Sequence, residues 1–136
     1  MMHSLTQSGN SPQTAKEREP EQGSLFSPAE VLAAYLEHPT NWPSRRVRNM
    51  QAFTNRFKCF ELKQVKVAGL GWERFRWSTK AEQRSQLFAA LSTEFPPIIL
   101  NPLGLVQDGA HRVRAAELRG DELIWAYVPV GEPLPL

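Results

Sequence analysis

PIILNPLGLVQDGAHRVRAAELRGDELIWAYV, residues 97–128, is the stretch that decides how this chain is read. Ile98-Ile99-Leu100 is a short, continuously apolar run of the kind found in strands buried on both faces. Asn101-Pro102 marks a turn, and Leu103 to Val106 reads as a second strand that Asp108-Gly109 closes. Ala110 to Arg119 holds good helix formers with Val113, Ala116 and Leu118 toward one side, and Gly120 suits a carboxyl cap. Leu123 to Val130 returns as a strand. The order strand, strand, helix, strand predicts an α/β fold built on a small mixed sheet with packed helices.

Upstream, Leu62 to Val67 alternates apolar with polar residues as a half-buried strand does, and Gly69-Leu70-Gly71 ends it. Trp72 to Trp77 is compatible with a strand or an extended loop. Thr79-Lys80-Ala81-Glu82 has the spacing of a capping box opening a helix from Lys80 to Leu91, with Leu87, Phe88 and Leu91 toward the core and Pro96-Pro97 stopping it. Ser27-Pro28-Ala29-Glu30 is another such box, with proline at the first helical position, and predicts a helix to about Glu37. His38 to Pro43 breaks that helix, and Ser44 caps the next, whose Val47, Met50, Phe53, Phe57 and Phe60 recur at helical spacing. Residues 1–24 are rich in Ser, Gln, Glu, Gly and Pro and predict a disordered tail. The domain reading is a tail over 1–24, a helical extension over 25–58 and an α/β domain over 59–136.

The chain has 136 residues, of which 41% are hydrophobic, and this suits one globular core rather than a wholly disordered chain. No apolar run approaches the ~20 residues of a membrane span. A lone cysteine, Cys59, and three histidines supply neither an internal disulfide nor a zinc pattern, so Cys59 is read as a small core residue. With no leader-like segment at the amino terminus, the expectation is a cytoplasmic protein. The net charge of +2 is unevenly spread. Pro43 to Lys80 carries ten Lys/Arg against two Glu, a net of +8, and the remainder sums to −6. That segregation points to an anionic partner, DNA or RNA phosphates among them, with Arg45, Arg46, Arg48, Arg56 and Lys58 as candidate contacts. The tryptophans are read as core and lid material, with stacking of Trp72 or Trp77 on a base as the alternative.

Asp108-Gly109-Ala110-His111-Arg112 lies where a strand gives way to a helix, so the N–H groups of the first helical turn lack partners within the helix. Such an end attracts anions; Gly109 allows a sharp turn, and Arg112 offers a forked donor matched to phosphate. The Walker spacing and the dinucleotide fingerprint are both absent. The plain structural alternative is an Asp-Gly turn whose Arg112 pairs with a nearby carboxylate.

Residues 97–128 resemble the core of the ParB and sulfiredoxin superfamily. Gly109-Ala110-His111-Arg112-Val113-Arg114-Ala115 is similar to the Gly-x-x-Arg-x-Arg-Ala box of ParB amino-terminal domains, and the looser likeness runs over about residues 60–130. The resemblance implies a nucleotide site at Asp108, Gly109, Ala110, His111 and Arg112, with CTP as in partitioning ParB or ATP as in sulfiredoxin and the free serine kinases. Nuclease and ATPase activities are attributed to other members. Ala110 stands where sulfiredoxin has its catalytic cysteine, which argues against sulfinic acid repair. Few residues follow the box, so the likeness carries no helix-turn-helix or dimerisation region.

Three functions follow as expectations. The first is a nucleotide-binding or NTP-hydrolysing ParB-like module acting on or near nucleic acid. The second is a small-molecule phosphotransferase of the free serine kinase type, which needs magnesium and a catalytic acid for which Glu61 and Glu73 are candidates. The third is a non-catalytic protein-binding module that retains the fold. Burial of Arg112 against a carboxylate would make the third the leading one.

Overall fold

The computed structural model describes residues 21–37, 44–90 and 95–135. Along the described chain run β1 (Ser24–Phe26), α1 (Pro28–Leu36), α2 (Ser44–Thr54), β2 (Cys59–Lys66), α3 (Thr79–Ala90), β3 (Ile98–Leu100), β4 (Val106–Asp108), α4 (Ala110–Arg119) and β5 (Leu123–Val130). The strands form one mixed sheet in the order β1-β2-β5-β3-β4. β3 runs parallel to β5, and the other pairs are antiparallel. This is a small α/β protein, with four helices and a five-strand mixed sheet among the described residues.

The sheet is covered on both faces. In β5 the side chains alternate: Ile124 and Ala126 join one apolar cluster, while Tyr127, with Trp125 packed beside it, joins the other. The first face gathers Phe26, Val31, Tyr35, Met50, Phe57 and Phe60 under α1 and α2. The second gathers Val67, Leu70, Ile98, Val106, Val113 and Ala116 under α4. Ile98 and Ile99 point to opposite clusters and are both buried, which is why β3 reads as an unbroken apolar run.

Local signals account for several boundaries. Ser27 accepts from the Glu30 N–H at 3.1 Å and Glu30 from the Ser27 N–H at 2.8 Å, completing the expected box with Pro28 at the first turn. Gly120, at φ +79°, ends α4.

Other expectations are corrected. α2 ends at Thr54, so Phe57 lies in the following turn and Phe60 in β2, which begins at Cys59 rather than Leu62. Their common face comes from the turn folding Phe57 onto Phe60 of the strand, not from one helix. The second strand of the hairpin is Val106–Asp108. Leu103 and Leu105 instead donate backbone N–H groups to the Asn101 side chain in the connecting turn. Trp72–Arg74 is a single 3₁₀ turn followed by extended Phe75, not a strand. The cap of α3 is Ser78, whose hydroxyl accepts from the Ala81 N–H, one residue before the expected Thr79.

α3 turns Ser85 into the core and leaves Leu87 70% exposed, because the inward stripe is Ala81, Ser85, Phe88 and Ala89. Leu118 is likewise exposed, while Arg112, Val113, Ala115 and Ala116 are buried. Cys59 is half-buried opposite Phe60 rather than in the core. β1, within and just beyond the expected tail, is a sheet edge strand paired with β2. The tail over 1–20, the helix break at 38–43 and Leu91 lie outside the described residues.

Candidate functional site

The Asp108–Arg112 turn forms between β4 and α4 as expected, and its side chains face inward more than outward. Gly109 has φ +111°. A β-carbon there would sit 2.5 Å from Ile98 Cγ2 and 3.2 Å from the Arg112 guanidinium, so only glycine fits between β3 and α4. Arg112 itself is buried, its side chain 8% exposed. One terminal nitrogen donates to the carbonyls of Pro96 at 3.0 Å and Pro97 at 2.7 Å, and the other to Asp108 Oδ2 at 2.8 Å. Burial works against its charge, and the Asp108 carboxylate beside it opposes that effect. Arg112 therefore braces the chain entering β3 against the end of β4.

What the turn leaves available is backbone. No side chain caps the amino end of α4. His111 is half-buried, its ring 5.1 Å from that of Trp77. Burial holds its pKa below the ordinary 6.5, and Arg84, Arg112 and Arg46 push the same way against Asp108. Arg46 from α2 and Arg84 from α3 thus act on the residue at the start of α4 from two other helices. Tyr35 of α1 is raised by burial first and then by Asp108.

A second constellation lies along the α3–α4 seam. Arg114 donates to both Glu82 oxygens, at 3.1 and 2.8 Å, and to Glu117. Trp77 Nε1 donates to Glu82 at 2.9 Å and Trp72 Nε1 to Glu117 at 3.4 Å. Arg114 also lies 5.0 Å from the Trp72 ring centroid, and Trp72 is 4.7 Å from Trp77. The hydrogen bonds from Arg114 and Trp77 hold the Glu82 carboxyl below its ordinary pKa, and Glu82 in turn raises that of Arg114. The two indoles thus pack against each other at a 55° tilt, Trp72 also against Arg114 and Trp77 against His111, contacts that occupy ring surface a nucleic-acid base would use.

The basic segment is spread over several surfaces. Arg45, Arg46 and Arg48 are exposed on α2, and Lys58 is exposed just before β2. Arg56 is half-buried, and its Nε donates to the Leu134 carbonyl at 3.2 Å. Of the candidate acids, Glu61 on β2 has Lys63 at 3.9 Å, and Glu73 lies exposed in the 3₁₀ turn. Sequence reasoning missed Glu82 as the partner of Arg114, and Arg84 and Trp77 as neighbours of His111, because only the packing of α3 and the segment before it on α4 brings them together; the apparent box at Thr79–Glu82 was the one trace of Glu82. Two surface hollows, one lined by Phe95, Arg119 and Trp125 and one by Phe53, Phe57 and Pro102, do not include the turn. Compared with family models, curated proteins and solved structures, the chain matches none of them.

Proposed function

We propose that this chain is a non-catalytic protein-binding module with a ParB/sulfiredoxin-type arrangement. The arrangement is supported by the succession β2, α3, β3, β4, α4, β5 around Gly109-Ala110-His111-Arg112, with β3 parallel to β5. The observation that carries the functional reading is Arg112. Its terminal nitrogens are engaged by Pro96, Pro97 and Asp108, so the group that would grip a phosphate serves the fold instead. The nearby carboxylates are engaged too, Glu82 and Glu117 by Arg114 and a tryptophan each. General-base or magnesium-bridged phosphoryl transfer needs an available carboxylate at the reacting group.

A second reading is favoured by the uncapped amino end of α4, with Arg46 and Arg84 acting on His111. In it, a nucleotide such as CTP or ATP, with or without magnesium, or a DNA or RNA phosphate binds through backbone N–H groups and these two arginines. The exposed Arg45, Arg46 and Arg48 extend that basic surface.

Calorimetry with CTP, ATP and GTP at millimolar concentration, with and without magnesium and duplex DNA, separates the two. The protein-binding reading expects no nucleotide binding and no hydrolysis. The second expects binding that Arg84→Ala weakens, and DNA affinity whose logarithm falls against that of salt with a slope of roughly −3 to −4 for about four phosphates. Nucleotide binding by the wild-type chain would overturn the first reading.

A further inference from the structure

We propose that the surface beside the end of α2 is a peptide-docking groove for an extended Pro-Leu-Pro segment, and that Pro133, Leu134 and Pro135 of this chain occupy part of it in cis. The proposal rests on the protein-binding reading and gives it a partner class.

Beyond β5 the chain bends at Gly131, φ +80°, and reaches the turn that follows α2. There Leu134 is held at both of its backbone groups by one residue. Its N–H donates to the Arg56 carbonyl at 2.6 Å, and its carbonyl accepts from Arg56 Nε at 3.2 Å. Pro133 and Pro135 are exposed on either side, and Leu134 between them is half-buried. Neither proline has an N–H, so Leu134 supplies the triplet's one backbone donor, and that donor is the one bound. Flanking prolines also restrict the free peptide, which lowers the entropy lost on docking.

The groove continues past the part the segment fills. A hollow lined by Ala52, Phe53, Phe57, Pro102 and Pro133 opens beside it. Phe57 is buried and packs edge-on against half-buried Phe53 at 5.3 Å, giving an aromatic floor held in place by the core. An aromatic-lined hollow with one polar handle is the usual receptor for an extended, proline-rich chain. The sign of the partner follows from charge. Arg45, Arg48 and Lys58 are exposed on and just beyond α2, and the cis segment itself carries exposed Glu132 before Pro133. The partner is therefore an extended, proline-flanked leucine peptide with an acidic residue on its amino side.

The test uses the full-length chain and a labelled peptide, Gly-Glu-Pro-Leu-Pro-Leu, followed by fluorescence polarisation and by amide chemical shifts. Leu134→Asp should loosen the cis segment without touching the core, and this variant should bind the peptide at least tenfold more tightly than wild type. The shifts should centre on Phe53, Arg56 and Phe57, and a peptide with Asp in place of its first Leu should bind at least tenfold more weakly. Adding Arg56→Ala to Leu134→Asp should cut peptide affinity, with Arg56→Lys recovering little because lysine has no Nε–H in that position. If neither wild type nor Leu134→Asp binds the peptide at millimolar concentration, or if both bind it equally, the groove assignment is wrong. Dimerisation of wild type that Leu134→Asp abolishes would replace cis occupancy with exchange between copies and overturn the proposal. The broader reading fails separately, through nucleotide-induced shifts at Ala110 and His111.

Discussion

The two faces of the sheet are held by different physics. Under α1 and α2 the contacts are aromatic: Phe26 meets Tyr127 edge-on at 5.3 Å, and Phe57 meets Phe60 at 5.7 Å. Under α3 and α4 an aliphatic cluster of Val67, Leu70, Ile98, Val106 and Val113 is joined by small buried residues, Ser85, Ala115 and Ala116, and by a guanidinium that ties the entry of β3 to β4. The first face depends mainly on area removed from water; the second adds to such burial a set of donors meeting acceptors around Arg112. A buried residue's chemistry is therefore replaceable by shape and volume across the first face, and at the Arg112 site of the second only by hydrogen-bond geometry.

Substitutions at the centre of each face should produce the largest effects and separate these two causes. Phe60→Ala opens a cavity in a fully buried site and should cost about 3–5 kcal/mol in urea unfolding, with Phe60→Leu recovering much of it. Arg112→Ala leaves the Asp108 carboxylate and two prolyl carbonyls without their donor, and should cost about 3 kcal/mol. Arg112→Lys should recover little, since one ammonium cannot reproduce a fork that reaches three acceptors. Full rescue by lysine would show that charge alone suffices on the second face.

Gly109→Ala should come next, at about 2–3 kcal/mol, through left-handed backbone strain and contact with Ile98. Pairing it with Ile98→Ala relieves the contact but not the strain, so the double variant should fall short of additivity. Adding the two single losses in full would mean that the strand and helix relax independently.

Smaller effects depend on pH. The folded pKa of His111 lies below its ordinary 6.5, so the fold favours the neutral ring. As pH falls from above 6.5 toward the lowered value, the unfolded chain binds more protons and stability declines. Thermal melts of His111→Gln should lack that decline. The smallest effect is expected at Glu82, whose carboxyl lies below its ordinary 4.5 in the fold. Its contribution is present above 4.5 and is lost as pH falls through the lowered value. Glu82→Gln should remove this step with only a slight loss of melting temperature near neutral pH, because the pair it forms is partly exposed and screened.

Most of the element order was legible in the sequence, because short-range rules set it. The Ser27–Glu30 box, the unbroken apolar run of β3, the glycine after α4 and the alternation of Leu62 to Val67 in β2 each depend on residues a few positions apart. The Asp108–Arg112 turn was legible for the same reason, and so was the plain alternative that Arg112 pairs with a carboxylate. What each side chain faces depended on neighbours distant in the chain. Leu87 matched an apolar position yet lies outside, because α4 offers α3 a seam of small residues that Ser85 fits. Arg112 has a phosphate-ready fork by composition, and only the approach of Pro96 and Pro97 directs it inward. Arg56 belongs to a basic run in one dimension and to Leu134, 78 residues away, in three. Local backbone preference is encoded by adjacent residues and survives without the rest of the fold, whereas the partner of a charged side chain is decided only when distant segments close on it and exclude water.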